Sequence, residues 1–110
     1  MEVYNRTLAL EMVGNEEELL QELEHSFVYD KVFSMAQLEE LEKSNPLDAA
    51  AYVHSFKGAA RQICAELAAF AGQNLEDVLR GKKQGNVKEL NAAFNTALCT
   101  AIDTIKKIIN

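Results

Sequence analysis

The sequence predicts an all-α protein, an antiparallel up-down four-helix bundle with a short extra helix at its N-terminus. Three observations carry this expectation. Apolar residues make up 48% of the 110, drawn mainly from Ala, Leu, Ile and Val, with one proline and five glycines; such a composition favours helices over strands. Four long segments repeat apolar residues every three or four positions, with short breaks between them. No stretch alternates polar and apolar residues as a half-buried strand would. A chain of this length is read as one domain that needs neither disulfides nor metals to build a core. Residues 1–14 are expected to form an N-terminal cover, and residues 15–110 the bundle.

The first helix is read from Asn5 to Val13; it is short, weakly amphipathic and ends at Gly14. The second segment opens at Asn15, with Glu18 three residues on in a capping-box arrangement. Leu20, Leu23 and Phe27, then Met35, Leu38 and Leu41, follow at helical spacing. Residues 15–43 therefore form one long helix or two joined near Tyr29 to Phe33, where β-branched and aromatic residues favour a bend. Ser44-Asn45-Pro46 is a break. Asn45 is a natural N-cap, Pro46 suits the first helical position, and Asp48 complements the helix dipole. The next helix runs from Pro46 to about Cys64, with a core stripe of Ala49, Tyr52 or Val53, Phe56, Ala60 and Ile63. Another follows to about Arg80 and is expected to bury Leu67, Phe70 or Ala71, Leu75 and Val78. Gly81 and Gly85 bracket a basic, polar loop. The last helix starts at the cap Asn86, carries Glu89 at its third position, and buries Val87, Leu90, Phe94, Ala97 or Leu98, Ala101 and Ile105.

Charge and composition exclude several function classes. A net charge of −6 argues against nucleic acid and against anionic membranes, both of which demand a basic surface. Cys64 and Cys99 lack metal-ligand spacing and read as reduced thiols. No N-terminal apolar run resembles a signal peptide, and no stretch approaches 18 apolar residues, so a cytoplasmic protein is expected; a monomer is expected because the bundle can bury its apolar stripes internally. There is no metal-binding constellation, no Ser–His–acid motif and no phosphate-cradling glycine loop. The chain is therefore not expected to bind ATP, a metal or any other cofactor by itself.

The segment His54-Ser55-Phe56-Lys57-Gly58-Ala59-Ala60 remains as the candidate site. On a helical wheel with Phe56 facing the core, His54, Gly58, Arg61 and Ala65 fall on the far side, Lys57 lies on the shoulder, and Ala50 and Ala51 lie one turn before the histidine. A single histidine on a solvated helix face usually does nothing, as His25 illustrates. That reading leaves unexplained why a glycine, which disfavours a helix interior by about 1 kcal/mol, sits beside His54 among small residues. A flat patch around one projecting nucleophile is what docking a folded partner requires.

These residues resemble the signature of the histidine-containing phosphotransfer (HPt) family, H-x-(aliphatic)-K-G-(A/S)-(A/S)-x-x-(I/L)-G, and the likeness extends from about Gly14 to the C-terminus. The resemblance implies that His54 carries a phosphoryl group on Nε2, that Lys57 offers charge to the phosphoryl oxygens, and that Gly58 admits the partner's active site. Glu76 stands twenty-two residues after the histidine, where some members have a carboxylate. It either orients the imidazole through Nδ1–H or is a solvated helix charge; Gln73, one turn earlier, is a lesser candidate. Cys64 replaces the family's usual glycine, and a change in packing against the following helix is expected there. Phe56 replaces an aliphatic residue, a conservative core change.

The expected function is thus a carrier in a two-component phosphorelay, taking a phosphoryl group from a response-regulator receiver domain or a histidine kinase and passing it on. Mg²⁺ would sit on the receiver, and docking would use Ala50, Ala51, Gly58, Arg61, Ala65 and Gln73. The alternative is a helical interaction module that binds a receiver or kinase without accepting phosphate. The initial Met and capped first helix favour a free-standing protein over a domain of a hybrid kinase.

Overall fold

Each break anticipated from turn residues becomes a helix end in the computed structural model, which describes residues 1–110. Six helices result: α1 (Arg6–Met12), α2 (Glu17–Tyr29), α3 (Met35–Ser44), α4 (Pro46–Gln62), α5 (Glu66–Leu79) and α6 (Val87–Ile109), with no strands. The side chains of Asn5, Ser34, Asn45 and Asn86 accept hydrogen bonds from the first-turn N–H groups of α1, α3, α4 and α6. The expected cap at Asn15 does not form. Asn15 is left-handed (φ 61°), and Glu16 precedes α2 without a side-chain cap. Gly14 and Asn15 instead close α1: their N–H groups bond to the carbonyls of Glu11 and Leu10, the crossed pair of a Schellman ending.

The 15–43 segment is two helices, and Phe33 explains the break. It is buried, and its ring lies 5.5 Å from Tyr52, 5.3 Å from Phe56 and 5.0 Å from Phe94, joining the α2–α3 corner to α4 and α6. The Tyr52 hydroxyl accepts the Ser34 N–H at 3.0 Å, while Lys31 donates to Ser55 and its ammonium lies 4.5 Å from the Phe56 ring centre. Asn91 of α6, buried, donates from Nδ2 to the Met35 carbonyl at 3.1 Å and fixes the start of α3. At the opposite end, buried Glu24 accepts from Tyr4 Oη at 2.7 Å and Arg6 Nε at 3.0 Å, tying α1 to α2.

Helix α4 packs against α3 and α5, α5 against α6, and α2 and α3 against α6. One cluster of twenty buried apolar residues fills the space between them. The face of α5 that turns inward matches the expected one in part: Leu75 is buried, and Ala71 packs half-buried against the core. Leu67 and Phe70 are exposed and Val78 is half-buried; the buried residues are Ala68, Gly72, Leu75, Glu76 and Leu79. Gly72 is the reason. A Cβ there would meet the Phe94 ring at 2.8 Å and Lys57 Cβ at 3.0 Å, so the glycine lets α5 approach α4 and α6 closely.

Cys64 lies beyond the end of α4, so a helical wheel does not describe it. It is left-handed (φ 63°), its N–H bonds to the Arg61 carbonyl at 3.2 Å, and the Ala65 N–H bonds to the Ala60 carbonyl at 2.9 Å. This is a second Schellman ending, matched by a third in which Gly81 (φ 75°) and Lys82 close α5. The glycine that the signature has here would suit the backbone conformation, rather than the interhelical packing anticipated from the sequence.

Candidate functional site

The close approach of α4 and α5 brings His54, Lys57, Gln73 and Glu76 into one hydrogen-bonded network. The His54 side chain is 61% exposed, whereas the Glu76 side chain beneath it is 7% exposed. His54 Nδ1 lies 3.1 and 3.2 Å from the two carboxylate oxygens of Glu76. Lys57 Nζ contacts Glu76 Oε1 at 2.8 Å, and Arg80 Nε contacts Oε2 at 2.8 Å. Burial opposes ionisation of Glu76, but hydrogen bonds from Lys57, Arg80 and His54 outweigh it and hold the carboxyl at about 2.

The tautomer of His54 follows. An ionised carboxylate can only accept, so the hydrogen bond requires the proton on Nδ1. In the neutral ring Nε2 then carries the lone pair, and it makes no hydrogen bond within the chain. Of the two readings of Glu76 left by the sequence, the solvated helix charge is excluded by its burial.

Lys57, on the shoulder of the α4 wheel, is turned inward. Its side chain is 6% exposed, and Nζ donates to Gln73 Oε1 at 3.0 Å as well as to Glu76. Gln73 Oε1 also accepts from Arg61 Nη2 at 3.3 Å, while Gln73 Nε2 donates to Asp77 Oδ1 at 2.8 Å. The network thus contains three cations (Lys57, Arg61, Arg80) against two carboxylates, in a chain whose net charge is −6. It is a locally cationic patch on an acidic protein.

Of the expected docking residues, Ala51, Gly58 and Arg61 are exposed and Gln73 is half-buried, but Ala50 and Ala65 are fully buried. Ala50 is covered because α3 and α5 both pack on α4, which widens its buried arc. Ala65 lies past the end of α4 and packs into the core. A Cβ at Gly58 would meet nothing within 4 Å, so the surface beside His54 is open. Beyond Ser55, the α2–α3 corner presents Val32, 76% exposed, and an apolar cavity of about 350 Å³ between α2, α4 and α6.

Arg80 and Asp77 were not singled out in the sequence. The signal was present in both cases, as residues four places apart on one helix: Glu76 with Arg80, and Gln73 with Asp77. No group of three or more His, Cys, Asp or Glu side chains is placed to hold a metal ion, and no helix is long and apolar enough to cross a membrane. No family model, curated protein or solved structure matches the chain.

Proposed function

We propose that this chain is a histidine phosphotransfer protein of the HPt kind, a cytoplasmic monomer that carries a phosphoryl group on His54 Nε2 between a histidine kinase or receiver-domain aspartate and another receiver. One observation carries the reading: an exposed imidazole held by a buried, ionised Glu76 in the tautomer that frees Nε2. In the step so envisaged, the Nε2 lone pair attacks phosphorus, the P–O bond of the acyl phosphate breaks, and the aspartate leaves as carboxylate. The proton stays on Nδ1, and the positive charge gained by the ring meets Glu76. Mg²⁺ and the remaining catalytic groups would belong to the receiver.

The helix contacts are compatible with an antiparallel four-helix bundle in which α2 and α3 together make one leg, beside α4, α5 and α6. Docking on this reading uses Ala51, Gly58 and Arg61, extended over the apolar α2–α3 corner in place of Ala50 and Ala65. The test is label transfer from a phosphorylated receiver or kinase, with His54→Gln as control. Acid-labile, base-stable phosphate on wild type alone is expected. Its absence with every donor tried would leave the binding-only module as the better reading.

A further inference from the structure

We propose that Lys57 is a transferable cation: it rests on Glu76 and Gln73 while His54 is free, moves to the anion that arrives on Nε2, and is released because Arg80 and Arg61 stay behind. The proposal rests on the reading of His54 as phosphoryl acceptor, in which Lys57 already offers its charge to the phosphoryl oxygens, and adds a role for Arg80 and Arg61. Lys57 lies one turn from His54 on the same helix, yet in the resting state it is turned inward and nearly buried. Pulling a buried ammonium away ordinarily strands its acceptors without a donor, which is strongly unfavourable.

Here neither acceptor is stranded. Glu76 keeps Arg80 Nε at 2.8 Å on Oε2, and Oε1, the oxygen that Lys57 leaves, keeps the Nδ1–H of His54 at 3.2 Å. Gln73 Oε1 keeps Arg61 Nη2 at 3.3 Å. Every acceptor of the Lys57 ammonium therefore has a second donor in place before Lys57 moves. Arg80 is the decisive one. It caps the C-terminal end of α5 four residues after Glu76, its N–H bonded to the Glu76 carbonyl, so it stays with the carboxylate when a side chain of α4 departs.

A phosphoryl group brings roughly two negative charges at neutral pH and competes for the nearest mobile cation. Without Arg80 the carboxylate would have Lys57 as its one permanent counter-charge, and the lysine would be locked beneath the surface. The movement makes and breaks no covalent bond. Arg80 is accordingly a positioning residue that acts through Lys57.

The test is a double-mutant cycle with phosphoramidate as a small phosphoryl donor, following phospho-His54 formation by ³¹P NMR in wild type, Arg80→Gln, Lys57→Met and the double variant. Arg80→Gln should slow formation roughly tenfold when Lys57 is present and less than about twofold when it is not, the coupling expected of residues in one network. Arg80→Lys, which keeps the cation, should recover most of the rate. The ¹⁵N signal of the Lys57 ammonium should shift on phosphorylation of wild type. Equal slowing in both backgrounds, or an unmoved Lys57 signal in phosphorylated protein, overturns the proposal while leaving phosphotransfer intact. Failure of wild type to gain phosphate overturns the phosphotransfer reading, and this proposal with it.

Discussion

Replacing Glu76 by glutamine keeps the shape of the side chain and removes the charge that Lys57, Arg80 and His54 share. A carboxyl held at about 2 in the folded state, against an ordinary 4.5, stabilises the fold at neutral pH by about 3 kcal/mol. An independent figure comes from buried ion pairs, where removing one partner costs about 3–5 kcal/mol. Glutamine still accepts a hydrogen bond and Arg80 can turn to solvent, so the lower end applies. Against a total of about 5–15 kcal/mol for a domain, this is a large share, and Tm should fall by roughly 10–20 °C. Because the folded-state value is depressed, the contribution is fully present above 4.5 and is lost as pH falls through about 2. Urea unfolding of both proteins between pH 7 and pH 2 is the assay. The stability gap should be about 3 kcal/mol at pH 7 and should close toward pH 2, where a protonated Glu76 resembles glutamine. A gap under about 1 kcal/mol at pH 7, or one that does not change with pH, would refute the reasoning.

Gly72→Ala should gain about 1 kcal/mol of helix propensity and lose more to overpacking, about 1–3 kcal/mol, because the Phe94 ring and the Lys57 stem occupy the space; a lowered Tm with a shifted His54 ring ¹⁵N resonance is expected. Cys64→Val should destabilise by about 2 kcal/mol despite its similar volume, since a β-branched residue resists a φ of 63°, whereas Cys64→Gly should be close to neutral; urea midpoints distinguish the two. Gly58→Gln should raise stability by about 0.5 kcal/mol through helix propensity, its Cβ meeting nothing, yet slow label transfer from a receiver; unchanged transfer would show that the surface beside His54 is not a docking face.

The sequence made the caps and breaks legible because each rests on local chemistry. Asn45-Pro46 with Asp48, and Asn86 with Glu89, start α4 and α6 where expected. The core stripe of α4 was equally readable, since Val53, Phe56, Ala60 and Ile63 repeat at helical spacing and are buried. Helix α5 was legible only in part. Hydropathy gives glycine no weight, so Leu67 and Phe70 outvoted Gly72, although close approach needed the residue with no side chain. His54, Lys57 and Gly58 could be found because they sit on a single helix. The Glu76 contact was visible only as a spacing, because its burial depends on how near α5 comes to α4. Arg80 was passed over as a helix end, yet four residues link it to Glu76. Cys64 was misread by extending the wheel past the last helical residue.

The left-handed turn at Cys64 has a further consequence: it places a buried thiol at the α4–α5 corner as a probe of local opening. Cys64 is buried, its Sγ lies 3.3 Å from Met12 Sδ, and burial, with Glu66 nearby, pushes its thiol upward, so it stays protonated and shielded from reagents. Cys99 is exposed on α6. In a labelling experiment the exposed Cys99 gives the reference rate, and Cys64 becomes reactive only while the α4–α5 corner is open. That corner joins the two helices from which the imidazole and its carboxylate project, so the ratio of the two labelling rates reports how often the joint between them is open.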